Sequence, residues 1–161
     1  MTRGFTMHLI GHGYDIHRLR EGGHLFLGGV SVSDSISAVA HSDGDVVIHA
    51  LVDALLGAIG AGDIGQMFPD SDARWKAAPS RVFLEGAMDR VRQAGFAVVN
   101  ADVTVLAERP RLGPFKAQMA ENLRALIGGP VNIKAGTHET CDAVGRGEAI
   151  ACHAVVLLAR P

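Results

Sequence analysis

Along residues 8–17 the chain reads HLIGHGYDIH, with the larger side chains Ile10, His12, Tyr14 and Ile16 alternating with Gly11, Gly13, Asp15 and His17. A period of two marks a strand, and it sends Asp15 and His17 out of the same face. A second extended run, 25–32, contains Gly28 and Gly29, which suggests a bulge or a close backbone approach within one strand. A turn at 20–23 separates the two runs. Residues 33–42 are small and polar and read as a loop free to move. At 42–45 the pattern changes to a helix start, with Ser42 placed to cap and Asp45 in the positive first turn. The helix body, 46–59, is apolar nearly all round and should be buried on most sides. Its polar residues Asp45, His49 and Asp53 fall four apart on one stripe. Residues 60–72 form a loop punctuated by Gly and Pro that carries Asp63, Asp70 and Asp72. The run 80–94 is an amphipathic helix with Phe83, Leu84, Ala87, Met88 and Val91 inward and Gly95 as its stop. Alternation returns at 96–107, where Val99, Ala101, Val103 and Val105 oppose Asn100, Asp102 and Thr104. A loop at 108–114 bears Arg109 and Arg111. A helix at 114–127 follows, with Phe115, Met119, Leu123 and Leu126 toward the core, then a strand at 131–135. The last strand, 148–158, is apolar on both faces.

The resulting order, β-β-α-α-β-α-β-β, predicts an α+β single domain: a mixed sheet covered by helices on one face. We place that domain at 7–161, with 1–6 as a frayed extension. A final strand apolar on both faces leaves one sheet face seeking cover, so the chain is expected to oligomerise.

Composition narrows the function. At 161 residues, 48% hydrophobic and 20% charged, the chain has enough material for one real core. A net charge of -2 with no basic run argues against nucleic acid as a partner, and 5% aromatics leaves few platforms for stacking bases. No apolar run reaches the roughly 18 residues of a membrane span, and 1–7 lacks the apolar stretch of a signal peptide. Two cysteines, Cys141 and Cys152, are too few for a disulfide framework, so a reduced, cytoplasmic setting is expected. Cys141 reads as a small buried residue.

The chemistry starts from the same-face pair Asp15 and His17. A carboxylate and an imidazole side by side are half of a zinc site, and His49, an imidazole on an oily helix, is the best third ligand. Three ligands leave the fourth tetrahedral position open, as in a catalytic rather than a structural centre. His12 is a candidate for the supporting hydrogen bond behind such a site. His8, His24 and His153 carry no evident chemistry, and His138 reads as a strand-edge residue. No phosphate-binding G-x-x-x-x-G-K-S/T run occurs.

Six strings in fixed order make the pattern specific: GHGYDIH at 11–17, AHSDGD at 40–45, HALVDALLG at 49–57, GDIG at 62–65, FPDSD at 68–72 and GRGE at 145–148. With these the chain resembles the 2-C-methyl-D-erythritol 2,4-cyclodiphosphate synthase family of the non-mevalonate isoprenoid pathway, over essentially everything after Met7. The resemblance implies a homotrimer packed around a three-fold axis, with active sites between neighbouring subunits. It implies a cytidine diphosphate substrate, 4-diphosphocytidyl-2-C-methyl-D-erythritol 2-phosphate, whose 2-phosphate attacks the β-phosphorus so that CMP leaves. In that pattern Asp15, His17 and His49 match zinc ligands, and Glu139 matches the carboxylate for a second cation, magnesium or manganese. Thr137 and Gly136 fall where the diphosphate is contacted. Asp63 and Gly65 match the sugar-hydroxyl site, and Asp70, flanked by Phe68 and Asp72, the methylerythritol site. His41 and Ser42 match a mobile loop that touches phosphate. Ala107, Arg111, Leu112 and Gly113 match the loop that reads cytosine, mainly with backbone groups, and Arg146 completes the substrate-binding set.

The string AGTHETCDAVGR at 135–146 departs from the commoner family form, roughly ATTTEKLGFTGR. Gly136 replaces a Thr, so one hydroxyl contact is lost. Ala143 replaces a Phe that helps line an apolar axial channel. Two other readings stay open on the residues alone: a zinc phosphohydrolase using the same ligands, and a non-catalytic trimer that binds isoprenoid diphosphates.

Overall fold

The computed structural model describes residues 7–160; the expected frayed segment 1–6 lies outside the described residues. The first alternating run forms β1 (His8–Glu21), longer than its apolar pattern suggested. Two short strands, β2 (Leu25–Leu27) and β3 (Val30–Ser33), follow as a separate antiparallel hairpin. This corrects the single bulged strand expected at 25–32. Gly28 and Gly29 both take left-handed φ values, 57° and 74°, which is what a tight hairpin turn requires and side-chain-bearing residues resist. The expected loop at 33–42 also contains β4 (Ile36–Ala38), paired with the end of β1.

Helix α1 (Val46–Ala58) is capped by Asp45 rather than by Ser42. Its buried Oδ1 accepts from Val47 and Ile48 N–H at 3.1 Å each and from Gly28 N–H at 2.9 Å, while Oδ2 accepts from Gly29 N–H at 2.7 Å. One carboxylate thereby closes the helix start and ties the hairpin turn to it. Burial pushes the Asp45 carboxyl up to about 6, against the opposing pull of those N–H groups. The loop at 60–72 contains the short helix α2 (Ile64–Met67) and leads into a 3-10 turn at Ala73–Trp75. The remaining elements are α3 (Ser80–Gln93), β5 (Ala97–Leu106), a 3-10 turn at Gly113–Phe115, α4 (Lys116–Ile127), β6 (Val131–Gly136), α5 (Asp142–Gly145) and β7 (Ala149–Ala159).

The main sheet runs β4-β1-β7-β5-β6; the β5–β6 pair is parallel and the others antiparallel, so it is mixed, as expected. A register shift between Val98 and Asn100 displaces Val99 from the inward row, and it is exposed. Helix α1 packs on β1, β7 and α3, and α4 packs on β6. The core side of α4 is Met119, Leu123 and Ile127, with Leu126 only half-buried. Strand β1 and helix α1 touch through their backbones. A Cβ built on Gly11 would lie 1.8 Å from the Ala54 carbonyl oxygen, and one on Gly13 1.8 Å from that of Ala50. The opposite sheet face is bare in the single chain, with Ile10 73%, Tyr14 45%, Ile16 44% and Val155 43% exposed. No helix among the described residues is long and apolar enough to cross a membrane.

Candidate metal centre and neighbouring cavities

The close seating of α1 on β1 decides the site. Residue 49 lies one position before Ala50, which meets Gly13, and Asp15 lies two positions beyond Gly13 along the strand. The three side chains therefore meet. Asp15 Oδ2 is 3.1 Å from His17 Nε2 and 3.0 Å from His49 Nδ1, and the two imidazole nitrogens are 3.0 Å apart. Among the described residues this is the one cluster of three or more side chains with metal-ligand atoms in mutual reach. Burial by itself would raise the Asp15 carboxyl, but the His17 and His49 imidazoles beside it hold it well below the usual carboxylate range.

The far side of His49 sets its tautomer. Its Nε2 lies 2.8 Å from Ser80 Oγ and 3.1 Å from Ser42 Oγ. The Ser80 hydroxyl donates in a short bond to Asp43, whose other oxygen accepts from Ser80 N–H at 2.9 Å. With its hydrogen committed to Asp43, Ser80 Oγ accepts from His49 Nε2–H. The Nδ1 lone pair is then turned toward Asp15 and His17. An imidazole lone pair beside a carboxylate is an arrangement that a cation completes, and one carboxylate with two imidazoles suits zinc and its neighbours.

These ligands open into a cavity of about 210 Å³ that also takes in His41, Ser42, Gly65, Phe68 and Asp70, with Trp75 and Phe83 as an aromatic wall. Asp53, the last member of the polar stripe, accepts from Ile64 N–H at 2.7 Å and so pins the loop bearing Gly65. Asp63 caps α2 through Gln66 N–H, and Asp72 is paired with Arg74; neither lines this cavity. Ala107, Arg111, Leu112, Gly113, Gly136 and Thr137 line a second cavity of about 730 Å³. Glu139 is exposed in the turn after β6, at a left-handed φ of 51°, and its carboxylate accepts from Thr137 Oγ1 at 3.4 Å. Arg146 lies in a third cleft, paired with Glu148.

Four readings of single residues are corrected. His12 stands on the bare sheet face, away from the centre, bonded to His153 at 3.1 Å. His138 is not on a strand; it pairs with Asp142 in the turn. Cys141 is exposed, and only Cys152 is buried. Ser42 bonds His49 instead of capping α1. Sequence reasoning missed Ser80 and Asp43, whose separation along the chain follows no helical or strand period.

A mixed sheet with one helix-covered face and a two-histidine, one-carboxylate centre defines a candidate metalloenzyme of α+β class. The model of the YgbB family matches residues 8–159. The 2-C-methyl-D-erythritol 2,4-cyclodiphosphate synthase of Xanthomonas axonopodis pv. citri is 51% identical over 154 residues, covering 94% of this chain and 93% of that protein. Among solved structures, the bifunctional IspDF of Campylobacter jejuni superposes with a TM-score of 0.94 at 39% identity, over 98% of this chain and 43% of that one. The CDP complex of Plasmodium falciparum IspF superposes with a TM-score of 0.85 at 31% identity, over 98% and 99% of the two chains. Against the first plant chloroplast relatives, the chain spans about two thirds of their length, 65% to 69%. The chain belongs to the YgbB family, the family of the 2-C-methyl-D-erythritol 2,4-cyclodiphosphate synthases.

Proposed function

We propose that the chain converts 4-diphosphocytidyl-2-C-methyl-D-erythritol 2-phosphate to 2-C-methyl-D-erythritol 2,4-cyclodiphosphate and CMP, with residues 7–161 acting as one catalytic domain. The observation that carries this reading is the Asp15–His17–His49 triangle opening into a cavity, in a chain half identical to a synthase of that name. Asp15, His17 and His49 would hold a zinc-type ion, and Glu139 a magnesium or manganese ion, since a carboxylate is a hard oxygen ligand. When bound, the ions would neutralise phosphate charge and polarise the phosphorus–oxygen bonds under attack.

The chain's own work is placement. Two phosphate groups repel, and one must approach the other in line. His41 and Ser42 would hold the attacking phosphate, Asp70 beside Phe68 and Asp72 the methylerythritol, and Asp63 with Gly65 the sugar hydroxyls. Thr137 and Gly136 would contact the diphosphate, and Ala107, Arg111, Leu112 and Gly113 the cytosine, with Arg146 beyond. Fixing an intramolecular attack in this way is worth on the order of 7 kcal/mol or more of the barrier. Of this set, His41, Ser42, Gly65, Phe68 and Asp70 line the cavity beside the triangle, whereas Ala107, Arg111, Leu112, Gly113, Gly136 and Thr137 line a separate one. That separation, with the exposed Ile10, Tyr14, Ile16 and Val155 of the bare sheet face, supports a homotrimer whose sites combine the cavities of neighbours.

The test is incubation with the substrate and chromatographic detection of CMP. CMP release by the wild type, falling roughly 100-fold in Glu139→Gln with zinc content unchanged, is expected. Release of inorganic phosphate instead of CMP would favour the phosphohydrolase, and binding without turnover the non-catalytic trimer.

A further inference from the structure

The bare sheet face carries its own pair of facing imidazoles. Nε2 of His12, on β1, lies 3.1 Å from Nδ1 of His153, on β7. The two strands are antiparallel neighbours, with Tyr14 directly opposite His153. A period of two puts His12 and Tyr14 on the sheet face opposite to Asp15, so this pair shares no side chain with the triangle between β1 and α1. The Tyr14 and His153 rings lie 4.7 Å apart, centroid to centroid, and the two imidazoles 5.4 Å apart. The His153 ring is therefore held between two aromatic neighbours on a paired, regular stretch of sheet. No His, Cys, Asp or Glu among the described residues adds a third ligand to this pair.

We propose that His12 and His153 hold a second transition-metal ion, one per chain, of the zinc, nickel or copper class that imidazole suits. The spacing is that of two ligands on one ion. Nitrogens about 2.0–2.1 Å from a shared ion, at about 100° to each other, stand about 3.1 Å apart. In the triangle, the facing nitrogens of His17 and His49 are separated by 3.0 Å. As a hydrogen-bonded pair, one imidazole of His12 and His153 donates its hydrogen to the other. A neutral imidazole can carry that hydrogen on its outer nitrogen instead. Both inner lone pairs then face the ion, both rings stay neutral and no proton is lost. Two protein ligands leave the remaining positions to water or to a side chain of a neighbouring copy. Because its ligands stand on different strands, the ion would also clamp β1 to β7 and stabilise the folded sheet.

The test is equilibrium dialysis against micromolar zinc, with bound metal counted by elemental analysis. His12→Gln and His153→Gln should each take up about one ion per chain fewer than the wild type, since an amide is a poor substitute for an imidazole. His49→Ala should lose the ion of the triangle and keep this one. Copper(II) added to His49→Ala should show nitrogen couplings in its electron paramagnetic resonance spectrum, and adding His153→Gln to that variant should abolish them. His12 is exposed and His153 half-buried, so both substitutions leave the core intact, which thermal unfolding checks. Wild-type zinc uptake in both His12→Gln and His153→Gln would overturn the proposal. So would a wild type whose bound zinc is lost entirely in His49→Ala. Either result leaves the triangle and the cyclisation reading standing, whereas a wild type that takes up no zinc would overturn both metal sites.

Discussion

His49 has two ring nitrogens in opposite surroundings. Nδ1 faces Asp15 and His17, and Nε2 faces the hydroxyls of Ser80 and Ser42. Ser80→Ala removes the acceptor that Asp43 orients, leaving only Ser42 to hold the ring. Zinc affinity, measured by competition with a chromophoric chelator, should weaken by about 10- to 100-fold while the fold persists. An unchanged affinity would mean that Ser42 alone fixes the tautomer. At this scale the clustering of the three candidate ligands was legible and their support was not. Asp15 and His17 stand out because a period of two puts them on one face, and His49 because an imidazole is out of place on an oily helix. Ser80 and Asp43 are 37 residues apart and come together only when the loop ahead of α1 packs on the start of α3.

The contact between β1 and α1 is an element-scale device. Gly13 leaves no room for a Cβ, and what it meets is backbone, the Ala50 carbonyl, so nothing flexible can give way. Gly13→Ala should lower stability by about 3 kcal/mol, at the upper end for overpacking. It should also cost metal affinity, because the helix that moves carries His49. Denaturant unfolding together with zinc titration measures both; loss of stability with zinc affinity intact would show that the helix yields without moving its ligand. The helices were legible in the sequence because their apolar faces repeat with the right period. The 25–33 hairpin was not, since a Gly pair within an apolar run is equally compatible with a bulge and with a turn. What decides is Asp45, a cap from another element whose carboxylate grips the amides of Gly28 and Gly29.

For the whole molecule, the bare sheet face is the dominant feature. Ile10, Tyr14, Ile16 and Val155 would be costly to leave in water, and a second and third copy of the chain can cover them. Val155→Lys puts a charge into that face at a side chain already half outside, so the single chain should still fold. Light scattering should then read the mass of one chain, against the three expected of the wild type if it forms the proposed trimer, and CMP release should fall with it. A trimeric, fully active variant would place the interface elsewhere. The sequence pointed to this through a final strand apolar on both faces, whereas the number of copies came only from the family resemblance. Periodicity reports that a face wants cover without saying how many neighbours supply it.

The first and last strands of the described chain are neighbours, with His8 opposite Ala159 and the Arg160 N–H donating to the Met7 carbonyl at 3.1 Å. Met7 and Arg160 therefore share one corner of the sheet. Along β1 that corner is about 23 Å from Asp15, seven residues away at roughly 3.3 Å each. A domain of this kind behaves as a plug-in module. A chain carrying residues 7–160 as an insert would enter and leave them at the same spot, remote from the candidate metal centre, and need not stretch to span them.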